Sequence, residues 1–150
     1  MSVTIQNQET PLKDREIPVI EKRLGFKLPE QYKAFLLKNN GGTPSPDTVP
    51  YNGEYFDYVS LFYAVRTNAY SNDLFRNIEE YKEYILDHYL PIAESPGGDV
   101  YCISLKTDDY GAIYCWDHEE ANYGGEPWEE NMIKLANSLN EFLESLYENS

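Results

Sequence analysis

Cysteine, histidine and positively charged residues are all scarce in this chain. Two cysteines and two histidines occur among its 150 residues, and 12 lysines and arginines stand against 26 aspartates and glutamates. Two cysteines without a CxxC spacing give neither a zinc-binding motif nor a disulfide scaffold. The shortage of cations leaves a net charge of −14, which repels the phosphates of nucleic acids and of anionic membranes. Direct binding to nucleic acid or to a membrane surface is therefore not expected.

Long apolar runs and targeting signals are also missing. No stretch of about 20 apolar residues is present that could span a bilayer. The N-terminal residues, MSVTIQNQETPLKD, lack the basic-then-apolar pattern of a signal peptide. We therefore expect a cytoplasmic protein whose cysteines stay reduced as core thiols.

Catalytic motifs are absent as well. The sequence contains no G-x-S-x-G nucleophile motif and no HExxH metal motif, and its Gly-Gly pairs lack the rest of a phosphate-binding loop. Neither cysteine has a local context that marks a reactive thiolate. The sequence therefore predicts no enzymatic activity, no catalytic residue and no cofactor.

Aromatic residues, by contrast, are abundant. The chain holds 14 Tyr and 6 Phe, and 41% of its residues are apolar, which suffices for the core of one folded domain. Tyrosine is also enriched at protein interfaces, because it offers a large contact area at a low entropic cost. We expect most of these tyrosines in the core and a few at an interface.

The strongest strand signals lie in the middle of the chain. Residues 100–105 and 111–116 are rich in β-branched and aromatic side chains and are separated by polar residues, which predicts a hairpin. A loop of residues 107–110 places Cys102 opposite Cys115, although a one-residue slip undoes that pairing. The same register puts these further side chains on one face: Tyr101, Ile103, Leu105, Ala112, Tyr114 and Trp116.

The first half of the chain combines helices with broken segments. Residues 1–13 are polar and aperiodic, which predicts a flexible N-terminal arm ahead of one domain over residues 14–150, with an edge strand at residues 3–6 as the alternative. Apolar spacing predicts two helices, one ended by Gly25 and one starting at Pro29. The expected elements that follow are a proline-rich loop over Thr43 to Pro50, one or two strands over Tyr51 to Val65, a helix over about Asp73 to Asp87 and a strand over Leu90 to Ala93.

The last part of the chain predicts a strand over residues 132–135 and a helix over residues 139–147, which Ser138 and Glu141 begin as a capping box. Strands thus concentrate in the middle and helices lie toward both ends, with turns too short for parallel crossovers. The predicted fold class is α+β: a single domain with a mostly antiparallel twisted sheet, helices near both termini and one long helix before the central hairpin.

Metal-ligating residue types occur around the central hairpin. Asp117, His118 and Glu119, together with Asp99, could supply carboxylate and imidazole ligands or an acid/base pair. Neighbouring residues of a strand point to opposite faces, however, so solvated charge at a strand end is the better interpretation. The other histidine, His88, is predicted at a helix C-terminus, where the helix dipole stabilises an imidazolium. No metal site is expected.

A partner-binding surface is the function that the residues themselves favour. Six carboxylates fall at the ends or the turn of the hairpin, and an acidic surface steers a basic protein into contact. For any one of these carboxylates, keeping the protein soluble is the simpler role. The candidate partner-binding residues are Asp99, Asp108, Asp109, Tyr110, Asp117, Glu119, Glu120 and Tyr123.

Three segments of the sequence together resemble the SUKH superfamily, which contains the yeast cell-wall-assembly (glucan synthesis) regulator and many bacterial immunity proteins. They are residues 20–42, residues 90–120 and residues 133–146. The first segment carries an LG-x-x-LP-x-x-Y-x-x-F-L run that ends in Asn40, Gly41 and Gly42. The second carries PIA-x-x-x-GG-D-x-Y and Y-x-W-D-H-E runs.

The resemblance implies a single α+β domain without enzymatic activity, whose bacterial members neutralise a polymorphic toxin, often a nuclease, by binding it. The expected partner is therefore a cognate toxin domain of basic character, bound by a protein that we expect to be a monomer. The alternative is a regulatory or scaffold module of the glucan-synthesis-regulator type. Residues 51–73 match no part of the family, so they are a second candidate for the partner-specific surface.

Overall fold

The structure, a computed structural model, describes residues 3–149. Within these residues the helices are α1 (Glu16–Leu24), α2 (Glu30–Lys38), α3 (Leu74–Tyr81) and α4 (Leu139–Ser145). The strands are β1 (Thr4–Gln6), β2 (Thr43–Ser45), β3 (Thr48–Tyr51), β4 (Glu54–Tyr58), β5 (Leu61–Phe62), β6 (Tyr89–Glu94), β7 (Val100–Ser104), β8 (Ile113–Trp116) and β9 (Met132–Ala136). The first two residues of the predicted arm and Ser150 lie outside the described part of the chain.

All of the named strands pair antiparallel. β1 pairs with β2, β3 pairs with β4, and β5 to β9 form a central sheet in the order of the sequence. The short β6–β7 and β7–β8 connections can join only antiparallel neighbours, whereas longer segments join β5 to β6 and β8 to β9. The predicted α+β class with a mostly antiparallel sheet is confirmed. No helix within residues 3–149 is both long and apolar enough to cross a membrane.

The central hairpin has a register that differs by one residue from the predicted one. Cys102 pairs with Tyr114 and Cys115 pairs with Tyr101, so the expectation of opposed cysteines is wrong. Because paired residues share a face and strand neighbours alternate, the two thiols lie on opposite sides of the sheet. The predicted grouping of side chains is wrong for the same reason, and the core face is formed instead by Tyr101, Ile103, Ile113 and Cys115.

A β-bulge beside the turn causes this shift. The N–H of Ser104 donates to the carbonyl of Ala112, and the carbonyl of Ser104 accepts from the N–H of Gly111, both at 2.8 Å. Two residues of one strand therefore face a single residue of the other. Gly111 has a φ of 92°, in the left-handed region that glycine adopts without steric cost.

Each face of the central sheet is covered differently. The core face packs with buried residues of α1, α2 and α4; the ring centroids of Tyr101 and Phe142, for example, are 5.7 Å apart. The outer face carries Cys102 and Trp116 and is covered by the chain that follows α3, including the buried Ile85. This outer face and its margins hold the candidate site.

Two segments that were predicted to be irregular contain strands. β1 pairs with β2 and Leu12 is buried, so the described residues of the predicted arm pack on the rest of the protein. β1 is the edge strand that was the alternative to the arm. The predicted loop over residues 43–50 contains β2 and most of β3. Proline is tolerated at edges and bulges, where no ladder donor is needed: Pro44 lies in a two-stranded sheet, and the register shifts at Pro50.

The helix ends were predicted with mixed success. Gly25 ends α1 with a φ of 89°, and the Ser138 hydroxyl accepts from the N–H of Glu141 at 3.1 Å, as the capping pattern predicts. The third helix is shorter than predicted, because α3 spans eight residues and ends at Tyr81. His88 therefore lies beyond this helix and not at its C-terminus, which corrects the expected dipole contact.

Candidate functional site

The eight candidate partner-binding residues lie at opposite ends of the β7–β8 hairpin. The residues at the open end, here called the open-end surface, are Asp99, Asp117, Glu119, Glu120 and Tyr123. The residues at the turn, here called the turn-end surface, are Asp108, Asp109 and Tyr110. β7 spans five residues, so the two surfaces are separated by roughly 16 Å. The structure therefore does not bring the eight residues together as one compact site.

Two carboxylates of the open-end surface are engaged in local hydrogen bonds. Asp99 Oδ1 accepts from the backbone N–H of His118 at 3.1 Å and contacts Nδ1 of the same residue. Asp117 accepts from the N–H of Glu119 at 3.0 Å and so begins the short 3-10 turn over residues 118–120. The hydrogen bond to Asp99 raises the pKa of His118, despite the opposing effect of partial burial. These two aspartates hold the loop in place.

The same three side chains form the candidate metal cluster. Ligand atoms of Asp99, Asp117 and His118 lie within 4.8 Å of one another. Direct hydrogen bonds already hold the group together, since Asp99 contacts Nδ1 of His118 and Asp117 caps the following turn. The cluster can thus be held without a cation, and the absence of a metal site stays a prediction.

The other residues of the open-end surface face solvent. Glu119 and Glu120 are exposed, and Tyr123 is 57% exposed. The hydroxyl of Tyr123 donates to the carbonyl of His118 at 2.8 Å, and its ring packs edge to face against Tyr84 with the centroids 5.4 Å apart. Tyr123 is therefore an exposed aromatic side chain whose orientation is fixed on two sides.

One residue of the turn-end surface is bonded to other side chains of the protein, and the other two are exposed. Asp109 accepts from the Ser104 hydroxyl at 2.6 Å and from the Tyr114 hydroxyl, and lies 3.7 Å from Lys106 Nζ. Burial raises the pKa of Asp109, but these donors outweigh it and the pKa lies below its ordinary value. Asp109 thus stabilises the hairpin turn. Asp108 and Tyr110 are exposed and free to contact a partner.

Sequence reasoning missed Tyr84 as a surface residue. Tyr84 is 38% exposed and forms the other half of the edge-to-face pair with Tyr123. The signal was present in the sequence, because Tyr84 lies outside the apolar stripe of Leu74, Ile78, Tyr81 and Ile85. A tyrosine on the polar side of a helical pattern is a candidate contact residue.

A polar network on the outer face was also missed. Glu129 accepts from the Tyr89 hydroxyl at 2.6 Å, and its other oxygen lies 2.7 Å from His88 Nε2. Lys106 Nζ lies 5.2 Å from the ring centroid of Tyr89 and 5.0 Å from that of Tyr114. Glu129 follows a Gly-rich loop far along the chain, so no local pattern could have linked it to these residues.

The β3–β4 hairpin forms a separate aromatic surface. Tyr51 and Tyr55 are 42% and 51% exposed on the β3–β4 hairpin. Tyr55 packs edge to face with Tyr58 at 5.4 Å between centroids, and Tyr51 lies 5.8 Å from Phe56. This hairpin is a second place where a partner could bind.

Comparison with protein families agrees with this fold and with the sequence motifs. Residues 11–145 match the model of the SMI1 / KNR4 family (SUKH-1). The chain belongs to this family. The match includes α1 to α4, the whole central sheet and residues 51–73. The expectation that residues 51–73 match no part of the family is therefore wrong.

One relative and one solved structure show how far the similarity of this SUKH-1 protein extends. It is 26% identical over 151 residues to the SPbeta prophage-derived uncharacterized protein YokK of Bacillus subtilis (strain 168), across 89% of this chain and 73% of YokK. The crystal structure of a protein from Pseudomonas syringae pv. tomato covers 80% of each chain with a TM-score of 0.52 and 16% identity. At that identity the second similarity shows the fold alone.

Proposed function

We propose that this SUKH-1 protein is a non-enzymatic cytoplasmic immunity protein that binds and blocks a cognate toxin domain. Family membership supports this class of function, and a prophage-derived relative is consistent with it. The single observation that carries the proposal is the open-end surface, where the fixed Tyr84–Tyr123 pair lies beside the turn bearing exposed Glu119 and Glu120.

The Tyr84–Tyr123 pair has the properties of a binding anchor. Fixed aromatic side chains lose little conformational entropy when a partner covers them, and they dominate the energetics of many interfaces. Tyr123 is held by its hydroxyl and by its ring, so it presents one defined surface to the partner. Covering this pair is expected to contribute at least about 2 kcal/mol to binding.

The charge of the protein supports a basic partner. A net charge of −14 accelerates encounter with a cationic surface and slows encounter with an anionic one. Blocking a toxin in this way requires no catalytic residue in this chain. Carboxylates that occupy a cationic groove of the toxin exclude its substrate, as in a nuclease whose groove binds phosphates. The proposed mechanism is occlusion by a 1:1 complex.

The test uses the C-terminal domain, about the last 150 residues, of the protein encoded directly upstream of this gene. Binding kinetics are measured at low and high salt for the wild type and for Glu119→Gln/Glu120→Gln. The matched control is Glu144→Gln/Glu148→Gln, which removes the same charge from exposed positions outside the open-end surface. We expect slower association and a weaker salt dependence for the first variant only.

A second pair of variants separates the two ends of the hairpin. Tyr123→Ala is expected to raise the dissociation rate at least tenfold, whereas Tyr110→Ala at the turn end leaves it within about twofold. If Tyr110→Ala raises the dissociation rate and Tyr123→Ala does not, the interface lies at the turn end instead. No binding of the upstream-encoded domain, or binding without loss of its toxicity on co-expression, refutes the proposed function and favours a scaffold role of the glucan-synthesis-regulator type.

A further inference from the structure

A groove with a volume of about 1090 Å³ runs between α3 and the corner that joins α1 to α2. Six apolar side chains line it and are half-buried, each with one side packed on the core. They are Leu24, Phe26, Phe75, Ile78, Leu86 and Leu105. The exposed parts of these side chains form a strip of apolar surface along the groove that a partner can cover.

The rim of this groove is acidic. Glu79, Glu80, Glu83 and Asp87 all line it and are exposed. Lys82 is paired with Glu79, and Arg76 lies 3.8 Å from Glu80. Among the salt bridges of residues 3–149, none involves Glu83 or Asp87. Two carboxylates on the rim are therefore left to meet cations from outside.

Two arginines of the groove stack on aromatic rings of the protein. The Arg23 guanidinium lies 3.8 Å from the centroid of the Phe75 ring, and that of Arg76 lies 4.3 Å from the centroid of the Tyr70 ring. Stacking leaves the guanidinium N–H groups accessible, so the preference for a cationic ligand rests on the excess of carboxylates in the lining, five against three cations. The groove thus favours a ligand that is apolar on one side and cationic on the other.

The groove is continuous with the open-end surface. Tyr84 lines the groove and also forms the edge-to-face pair with Tyr123. A partner that covers Tyr123 therefore has the groove directly beside it. We propose that a cationic amphipathic segment of the toxin domain docks in this groove, with apolar side chains on Phe26 and Ile78 and with lysine or arginine at Glu83 and Asp87.

This inference rests on the proposed function, because the segment is assigned to the same partner. A second copy of this chain is the less suitable occupant, since two molecules that each carry −14 repel one another. In helix-in-groove recognition, the apolar stripe of a helix enters a groove and its polar face stays in contact with solvent. The apolar lining and the charged rim of this groove suit that mode of binding.

The test is amide hydrogen exchange of the full chain with and without the upstream-encoded C-terminal domain, together with two pairs of variants. Glu83→Lys/Asp87→Lys reverses the free rim charges, and Glu144→Lys/Glu148→Lys makes the same change of charge away from the groove. Phe26→Ala removes an apolar contact, and Val19→Ala, at an exposed position of α1, is its control. Circular dichroism checks the folding of each variant.

We expect new protection over residues 23–26 and 75–87. Association should be about tenfold slower for the rim variant and dissociation about tenfold faster for Phe26→Ala, with both controls within about twofold of wild type. Binding with protection elsewhere and unaltered kinetics overturns the groove assignment and leaves the proposed function standing. Failure of the domain to bind overturns both. Self-association of the free chain that the rim variant abolishes assigns the groove to a second copy and also overturns the inference.

Discussion

Replacing Asn40 by alanine tests what the Asn-Gly-Gly motif of this family does. Asn40 is 1% exposed, and its side-chain amide donates to the carbonyls of Thr10 and Val65 at 2.9 and 2.7 Å. Its oxygen accepts from the N–H of Val65 at 2.8 Å. Asn40 lies just after α2. Its side chain thus connects that position both to the segment before α1 and to the segment that follows β5. Asn40→Ala removes these three hydrogen bonds at once.

The expected cost can be worked out from what is left unpaired. The N–H and the carbonyl of Val65 are left without these partners in the interior, whereas Thr10 is exposed and its carbonyl can be reached by water. Each buried group that loses its partner costs about 1–3 kcal/mol, so the loss is roughly 2–6 kcal/mol. Since small proteins are stable by about 5–15 kcal/mol, much of the stability of this protein depends on Asn40.

Urea unfolding followed by circular dichroism measures this loss. The control is Asn122→Ala, which removes one exposed hydrogen bond, from Asn122 Nδ2 to the carbonyl of Glu126 at 2.8 Å, and should cost less than about 1 kcal/mol. If Asn40→Ala unfolds at the same urea concentration as the control with an unchanged slope, the buried network does not stabilise the protein. That result would refute the reasoning about the motif.

The two glycines that follow Asn40 have an equally structural explanation. A Cβ at Gly41 would lie 2.6 Å from Cβ of Ala64, and a Cβ at Gly42 would lie 2.5 Å from the carbonyl oxygen of Gln6. Both residues also have positive φ values, 73° and 117°. These motif residues stabilise the fold and do not form an exposed site. Partner choice must therefore depend on residues outside this motif.

Two further predictions follow from the hairpin, one for pH and one for the thiols. The pKa of His118 is raised by Asp99, so its contribution to stability is complete below about pH 6.5, the value for an unfolded chain, and is lost as the pH rises through the folded pKa. His118→Gln should remove this pH dependence in unfolding titrations, and an unchanged dependence would assign it to another group. Cys102 and Cys115 are buried, and burial raises the pKa of both thiols. Rapid alkylation with mass spectrometry should therefore modify neither cysteine in the native protein and both after denaturation; a native-state disulfide would contradict the register, which puts the thiols on opposite faces.

Local patterns in the sequence determined most of the secondary structure, and composition determined the acidic character of the protein. The richness in β-branched and aromatic residues located β7 and β8, and the spacing of Leu139 and Phe142 with the Ser138 cap located α4. Helical spacing also placed Ile85 correctly in the core, although it extended α3 too far. The net charge, the scarcity of cysteine and the family motifs were visible in the sequence directly. Composition and the patterns formed by residues close together in the sequence do not depend on the tertiary fold, so they can be recognised from the sequence alone.

Tertiary structure alone decided the register, the extra strands and the composition of the surface. The bulge at Gly111 moves every pair of the hairpin by one position, and a period of two residues cannot specify such an insertion. β1 and β2 are strands because segments about 40 residues apart pair with each other, as the contact between Thr4 and Ser45 shows. Asp109 faces inward and Tyr84 joins Tyr123 for the same reason: the partners of each side chain come from elements that only the folded chain brings together.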